Sequence, residues 1–461
     1  MTAHWSSIPP ASSRRGFVRS LMAGSLLLPG AISEILAAEE GVDDAVDPLS
    51  PRAPHFPARA KRVIFLFMSG GVSHLESFDP KPELARSSGK RHNGRTLLGP
   101  QFSFSPAGRC GTPVSELFPQ IASCADDLCV IRSMTGSHFE HFQATLRVHT
   151  GSLSVKRPSL GCWASYGLGT ENRNLPSFVV LAPYLPYSGT QAWSSDFLPV
   201  CHQGIRIIPG DEPISDLRRR APSLEVQERE LDLLARFNQR HRASRPSDPL
   251  LAGRVRSFET AFGMQREMPE VLDLSRETDA TLRLYGLERG STSGFAWQCL
   301  VARRMSERGV RFVELIDSGS SNNWDSHGNM REHIPKAKNV DQAIAALLKD
   351  LKSRGMLDET LVVWTTEFGR TPHTDNPQGR SHHPYVFSSW MAGGGVKAGT
   401  VHGTSDELGY EPAENPVHVH DFHATILHLL GFDHERLTYR HAGRDFRLTD
   451  VHGRVVKELL A

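Results

Sequence analysis

Asp341 to Arg370 reads DQAIAALLKDLKSRGMLDETLVVWTTEFGR. Its first half sets Ile344, Leu347, Leu348 and Leu351 at three- and four-residue intervals, the spacing of one apolar helix face. Gly355 follows as the residue that ends such a helix in a left-handed turn. The second half, Leu361-Val362-Val363-Trp364-Thr365, is a continuous apolar run and reads as a strand buried on both faces. A helix feeding a doubly buried strand is the repeating unit of a parallel α/β sheet. Runs of the same kind stand at Val63–Met68, Phe178–Leu181 and Phe312–Ile316. Near the C-terminus Asp421 occupies an N-cap position ahead of Ala424–Leu430, and Gly431 closes that helix. Residues 223–310 read as mostly helical, in segments near 223–242, 249–265, 271–285 and 294–307, an insertion placed as a cap over the sheet. The fold class is therefore α/β: a doubly wound, mainly parallel sheet flanked by helices, with a helical insertion.

The N-terminus carries a different kind of information. Ser13-Arg14-Arg15-Gly16-Phe17-Val18 precedes a short apolar run, Leu21–Leu28. Paired arginines before a modest apolar segment read as a twin-arginine (Tat) signal over residues 1–38, with cleavage near Ala37 or Ala38. The run falls far short of the ~20 residues that span a bilayer, so the mature protein is expected to have no transmembrane span. A proline-rich linker at 39–60 leads into a core domain at 61–461. The Tat translocon is then a partner during export, and the destination is the periplasm or the extracellular space. With 52 basic against 51 acidic residues, the charge balance gives no reason to expect a nucleic-acid partner. Six scattered cysteines without a C-x-x-C pair read as small buried apolar residues.

In open α/β sheets ligands collect at the carboxyl ends of strands. Ser69-Gly70-Gly71-Val72-Ser73-His74-Leu75-Glu76-Ser77-Phe78-Asp79 follows the first strand. Trp324-Asp325-Ser326-His327-Gly328 comes after Phe312–Ile316, and Glu367-Phe368-Gly369-Arg370 with Arg380-Ser381-His382-His383 after Leu361–Thr365. Carboxylates and imidazoles beside glycine suit a divalent metal such as zinc, manganese or calcium. Each motif alone is also explained by a loop carboxylate capping a helix, a turn ion pair or a solvated histidine. His138 and His141, three apart, are either site-facing groups or a polar helix start.

The stretch 341–370 resembles the helix–turn–strand of sulfatases, and D-F-H-A-T-I-L-H-L-L-G at 421–431 resembles a late helix of the same superfamily. G-G-V-S-H-L-E-S-F-D-P-K-P-E-L, R-P-S-L-G, N-L-P-S-F-V-V-L, W-D-S-H-G-N and E-F-G-R-T-P more closely resemble the exported domain-of-unknown-function family numbered 1501, within the alkaline phosphatase-like superfamily. That resemblance implies a hydrolase of sulfate or phosphate esters, with an anionic ester or sulfated polysaccharide as substrate. By position it implies metal ligands at Asp325, His327, Glu367 and one of His382 or His383. Phe368 takes the place of a ligand histidine, and Ser69-Gly70-Gly71 that of a ligand aspartate, for which His74, Glu76 or Asp79 would substitute. The nucleophile's place falls on His141, with Thr145 the nearest hydroxyl, and Arg370 would neutralise the substrate anion. Losing two ligands leaves either an altered catalyst or a non-enzymatic extracytoplasmic binding or assembly protein.

Overall fold

The computed structural model describes residues 47–215, 217–245, 248–318 and 324–461, so the twin-arginine segment lies outside the described residues. The central sheet has nine strands: β1 Arg62–Met68, β2 Leu128–Thr135, β3 Phe178–Leu181, β4 Ile205–Ile207, β5 Phe312–Asp317, β6 Thr360–Thr365, β7 Phe387–Ala392, β8 Thr400–His402 and β9 Val417–His418. Their order is β8-β2-β7-β6-β1-β5-β3-β4, with β9 beside β2. All pairs are parallel except those of β7, which runs antiparallel to β6 and β2.

Among the described residues the eight longer helices are α1 His141–Thr150, α2 Leu160–Leu168, α3 Leu224–Ala243, α4 Pro249–Leu272, α5 Asp279–Tyr285, α6 Phe295–Glu307, α7 His333–Ser353 and α8 Val419–Leu429. Successive residues of β1 serve opposite cores because strand side chains alternate. Ile64, Leu66 and Met68 pack with Leu300, Val301, Ile344 and Leu347 of α6 and α7. Val63, Phe65 and Phe67 pack with Trp163, Phe422 and Ile426 of α2 and α8. Two buried faces explain why the strands are unbroken apolar runs rather than alternating ones. α4, α5 and α6 contribute Met268, Leu282 and Met305 to the first of these cores. They form part of the helical layer instead of capping it. α3 belongs to a separate compact unit; Ser223 Oγ accepts from Val226 N at 3.2 Å, and none of its residues is buried.

Two helix starts differ from the sequence expectation. α7 begins at His333, so Asp341 lies mid-helix. Its carboxylate accepts from the backbone N–H groups of Gln120 and Ile121, both at 2.8 Å, and so caps a different helix. At α8 the N-cap is His418, and Asp421 is the third helical residue, accepting from the His418 N–H at 3.1 Å in a capping box. All six cysteines are free, and five are buried. No helix among the described residues is long and apolar enough to cross a membrane.

Candidate metal centre

Because β6, β1 and β5 are neighbours, their carboxyl ends open beside one another. β1 runs into a turn at Gly70 and Gly71, with φ of 114° and 76°. Both values are strained for any residue with a Cβ. A side chain at Gly71 would also meet the Phe368 ring at 2.6 Å. The turn aims the Gly70 N–H at Glu367 Oε1, 2.8 Å away. The same carboxylate oxygen faces His141 Nδ1 at 2.7 Å.

Three imidazoles are anchored the same way. His141 Nδ1 meets Glu367, His382 Nδ1 meets the Phe139 carbonyl at 2.6 Å, and His327 Nδ1 meets Asp375 Oδ2 at 2.7 Å. Their Nε2 atoms all turn toward the Asp325 carboxylate, at 3.3 Å, 3.1 Å and 3.0 Å respectively. Among the described residues, His141, Asp325 and His382 are the group whose donor atoms all lie within 4.8 Å of one another. His327 Nε2 stands 2.8 Å from His382 Nε2. A carbonyl can only accept, so His382 carries its proton on Nδ1 and, when neutral, turns a bare lone pair inward. Nitrogens and carboxylate oxygens at such distances share either a proton or a cation between them. Two donors on one tetrahedral zinc lie ~3.4 Å apart, a few tenths of an ångström beyond these separations. His141, Asp325 and His382 therefore fit one divalent ion, with His327 set beside His382.

Electrostatics agree with that geometry. Burial opposes charging His141, but its bonds to Asp325 and Glu367 outweigh burial and push its pKa up to about 9. Burial likewise acts to raise the Asp325 pKa, yet His141, His382 and Arg370 hold it far below the usual carboxylate range. The His382 pKa is lowered, by burial first and then by the nearby Arg370 and His141 cations. Aromatic rings enclose the cluster. Tyr187 stacks on His141 with centroids 3.9 Å apart, and Phe368 lies 4.8 Å from the His141 ring and 4.6 Å from the His382 ring.

Other expected residues take different places. Arg370 is fully buried and cannot reach out to a substrate. It donates to Asp325 Oδ1 at 2.6 Å, to Gly71 O at 2.8 Å, and to the Gly70, Trp324 and Arg380 carbonyls. A fixed guanidinium thus fills the oxygen-lined end of β1. Thr145 is also fully buried, and its Oγ1 has no partner. Gly369–Thr374 and Arg380–His383 form a hairpin in which Arg370 pairs with His382 and Gly369 with His383. The pleat sends those two histidines to opposite faces. His383 Nε2 meets the Tyr410 carbonyl at 2.6 Å, and its ring stacks with His74 at 6.3 Å. His74 faces Gly409 O at 3.2 Å. Glu76 pairs with Arg380 at 2.8 Å and Asp79 with Lys81 at 2.9 Å. His74, Asp79 and His383 therefore lie apart from the cluster that His382 joins. His138 accepts from the Glu140 N–H at 3.1 Å, so it belongs to a polar helix start. Asp375 was not foreseen, because Asp375-Asn376-Pro377 in sequence signals only a turn.

Residues 60–460 match the family described as Protein of unknown function (DUF1501). The chain belongs to this family. No curated protein matches it. Among solved structures, this DUF1501 protein is similar to the PsFucS1 sulfatase from Pseudoalteromonas sp., at 14% identity and a TM-score of 0.35, covering 82% of this chain and 69% of that one. The phosphonate monoester hydrolase SpPMH from Silicibacter pomeroyi follows at 11% identity and 0.35, covering 80% and 73%. Alkaline phosphatase from the Antarctic bacterium TAB5 has 11% identity and 0.31, covering 73% and 92%.

Proposed function

We propose that this protein is an exported hydrolase of sulfate or phosphate esters that works with one divalent metal ion. Nε2 of His141, His327 and His382 and the Asp325 carboxylate would hold the ion. Glu367, Asp375 and the Phe139 carbonyl orient the three rings through Nδ1, the carboxylate–histidine arrangement that fixes ligand tautomers. The observation that carries the reading is this: three imidazoles anchored by Nδ1, with every Nε2 turned to one carboxylate. Such a nitrogen-rich donor set favours zinc or manganese over calcium, which takes oxygen ligands.

When bound, such an ion supplies Lewis acidity to an ester oxygen. Arg370 holds Asp325 in place and contributes a second, permanent positive charge at the end of β1. Phe368 and Tyr187 exclude water from the His141 ring. The twin-arginine signal supports export to the periplasm or beyond, after folding. The substrate class, an anionic ester or a sulfated polysaccharide, rests on the superfamily resemblance.

Elemental analysis after chelator-free purification should find about one ion per chain. Chelator-sensitive hydrolysis of an aryl sulfate or aryl phosphate, abolished in folded Asp325→Asn, is the expected activity; a metal content near zero removes the reading. Changing Arg14 and Arg15 to lysine should retain the protein in the cytoplasm. Enclosure of Thr145 favours a second reading, a binding protein of the same fold without turnover. Full metal occupancy with no ester hydrolysis would select it.

A further inference from the structure

His149, in the last turn of α1, and Glu314, in β5, form a buried pair outside the metal centre. His149 Nε2 and Glu314 Oε1 lie 2.7 Å apart, and the two residues are 3% and 2% exposed. The other ring nitrogen, Nδ1, faces the Thr145 carbonyl at 2.7 Å. A carbonyl and a carboxylate can only accept, so both nitrogens carry protons and the imidazole is a cation. Burial opposes that charge, but Glu314 first, and the Thr145 carbonyl after it, outweigh burial and raise the His149 pKa. A cation in the last turn also suits the helix dipole.

The pair completes a strap. β1 lies between β6 and β5 in the sheet. At its first residue α1 reaches Glu367, just past β6, through His141. Eight residues on, about 12 Å along the helix axis, it reaches β5 through His149. Between them the His149 ring packs edge-on against Phe67 of β1, with centroids 4.6 Å apart. Asp325 belongs to the chain that follows β5, and Trp324 beside it donates to Asp317, the last residue of that strand, at 2.9 Å. His149 and Glu314 therefore tie the helix that carries His141 to the strand that leads to Asp325. Apolar burial is non-directional and presses a helix onto a sheet, whereas a hydrogen bond also fixes where along the sheet it stops.

We infer that the His149–Glu314 pair is a positioning element for the metal centre, setting His141 against Asp325 and with it the affinity for the ion. The link to affinity rests on the metal-dependent function proposed above; the fixing of α1 does not.

Zinc competition titrations set beside unfolding midpoints, on the full chain, test the inference. Replacing His149 and Glu314 together by leucine puts an apolar pair where the charged one stood, an exchange that is often neutral for stability. His423 Nε2, 2.7 Å from the Val148 carbonyl, still holds the same turn of α1. Zinc affinity should nevertheless fall about tenfold. Glu314→Gln keeps an oxygen for His149 Nε2 and should bind zinc within about twofold of the parent. Should the double variant not fold, His149→Leu alone, in which Glu314 can take up a proton, should show the same loss. Parent-like zinc affinity in the leucine variants, or an equal loss in Glu314→Gln, would overturn the inference. Hydrogen exchange in the metal-free protein gives a reading independent of zinc: α1 amides should exchange faster in the leucine variants and at the parental rate in Glu314→Gln. Unchanged exchange in the leucine variants also overturns it. A parent that binds no zinc yet shows this contrast keeps the strap and removes the metal reading.

Discussion

Two clusters of charged and titratable side chains flank the short hairpin at 369–383, and they differ in where the polar atoms point. In the first, Glu76 pairs with Arg380, both fully buried, and Asp79 pairs with Lys81 and accepts from Ser405, while His383 meets a carbonyl. Each of those charges faces its opposite. In the second, which His382 joins, three imidazoles and Asp325 turn inward upon a common point, and the outward bonds do the anchoring. Similar residue types thus make a closed structural lock in one cluster and a ligand-ready group in the other. The difference lies in partner arithmetic: a lock needs equal numbers of donors and acceptors, while a metal site needs surplus acceptors.

The largest effect should come from opening the lock. Glu76→Ala leaves the Arg380 guanidinium buried and uncompensated and should cost about 3–5 kcal/mol in denaturant unfolding. Asp325→Asn, only partly buried, should leave the unfolding midpoint far less changed while removing metal binding.

The next effect is a pH dependence. His141 has a folded pKa of about 9, above its ordinary value of 6.5, through Asp325 and Glu367 against the opposing burial. Its stabilisation of the metal-free protein is therefore complete below about pH 6.5 and lost as pH rises through about 9, at most about 3 kcal/mol. An ion takes the place of that proton, so metal affinity should fall as pH drops below about 9. Thermal unfolding with and without zinc across this range checks both signs.

Glu367→Gln keeps the size of the His141 anchor but not its charge, and should weaken metal binding about 10–100-fold in a competition titration. The smallest effect sharpens the comparison most. His383→Phe should leave metal affinity unchanged, whereas His382→Phe should lower it strongly. Equal losses in both would erase the distinction between the two clusters.

Part of this was legible in the chain. The strands announced themselves because residues buried on both faces must be apolar throughout, as in Val63–Met68 and Leu361–Val363. Asp325, His327, Glu367 and the His382–His383 pair could be singled out because polar residues beside glycine at strand ends mark where a sheet exposes ligand groups. Whether His382 or His383 joins them depends on hairpin register, which shifts every side chain between faces with a one-residue slip. The anchoring of His141 by Glu367 spans 226 residues, and no local pattern encodes it. Arg370 looked like a group available to an anion until its burial against Gly70, Gly71 and Asp325 was in view.

The sequence alone determined the α/β class, the export signal as an expectation, and a short set of candidate residues. Those follow from hydrophobic periodicity and residue chemistry, which act within a few neighbours. Only the tertiary structure decided which imidazoles converge and which charges cancel. Hydrogen bonds are satisfied within a few ångströms in space, and the packing of β6, β1 and β5 sets which distant residues come that close.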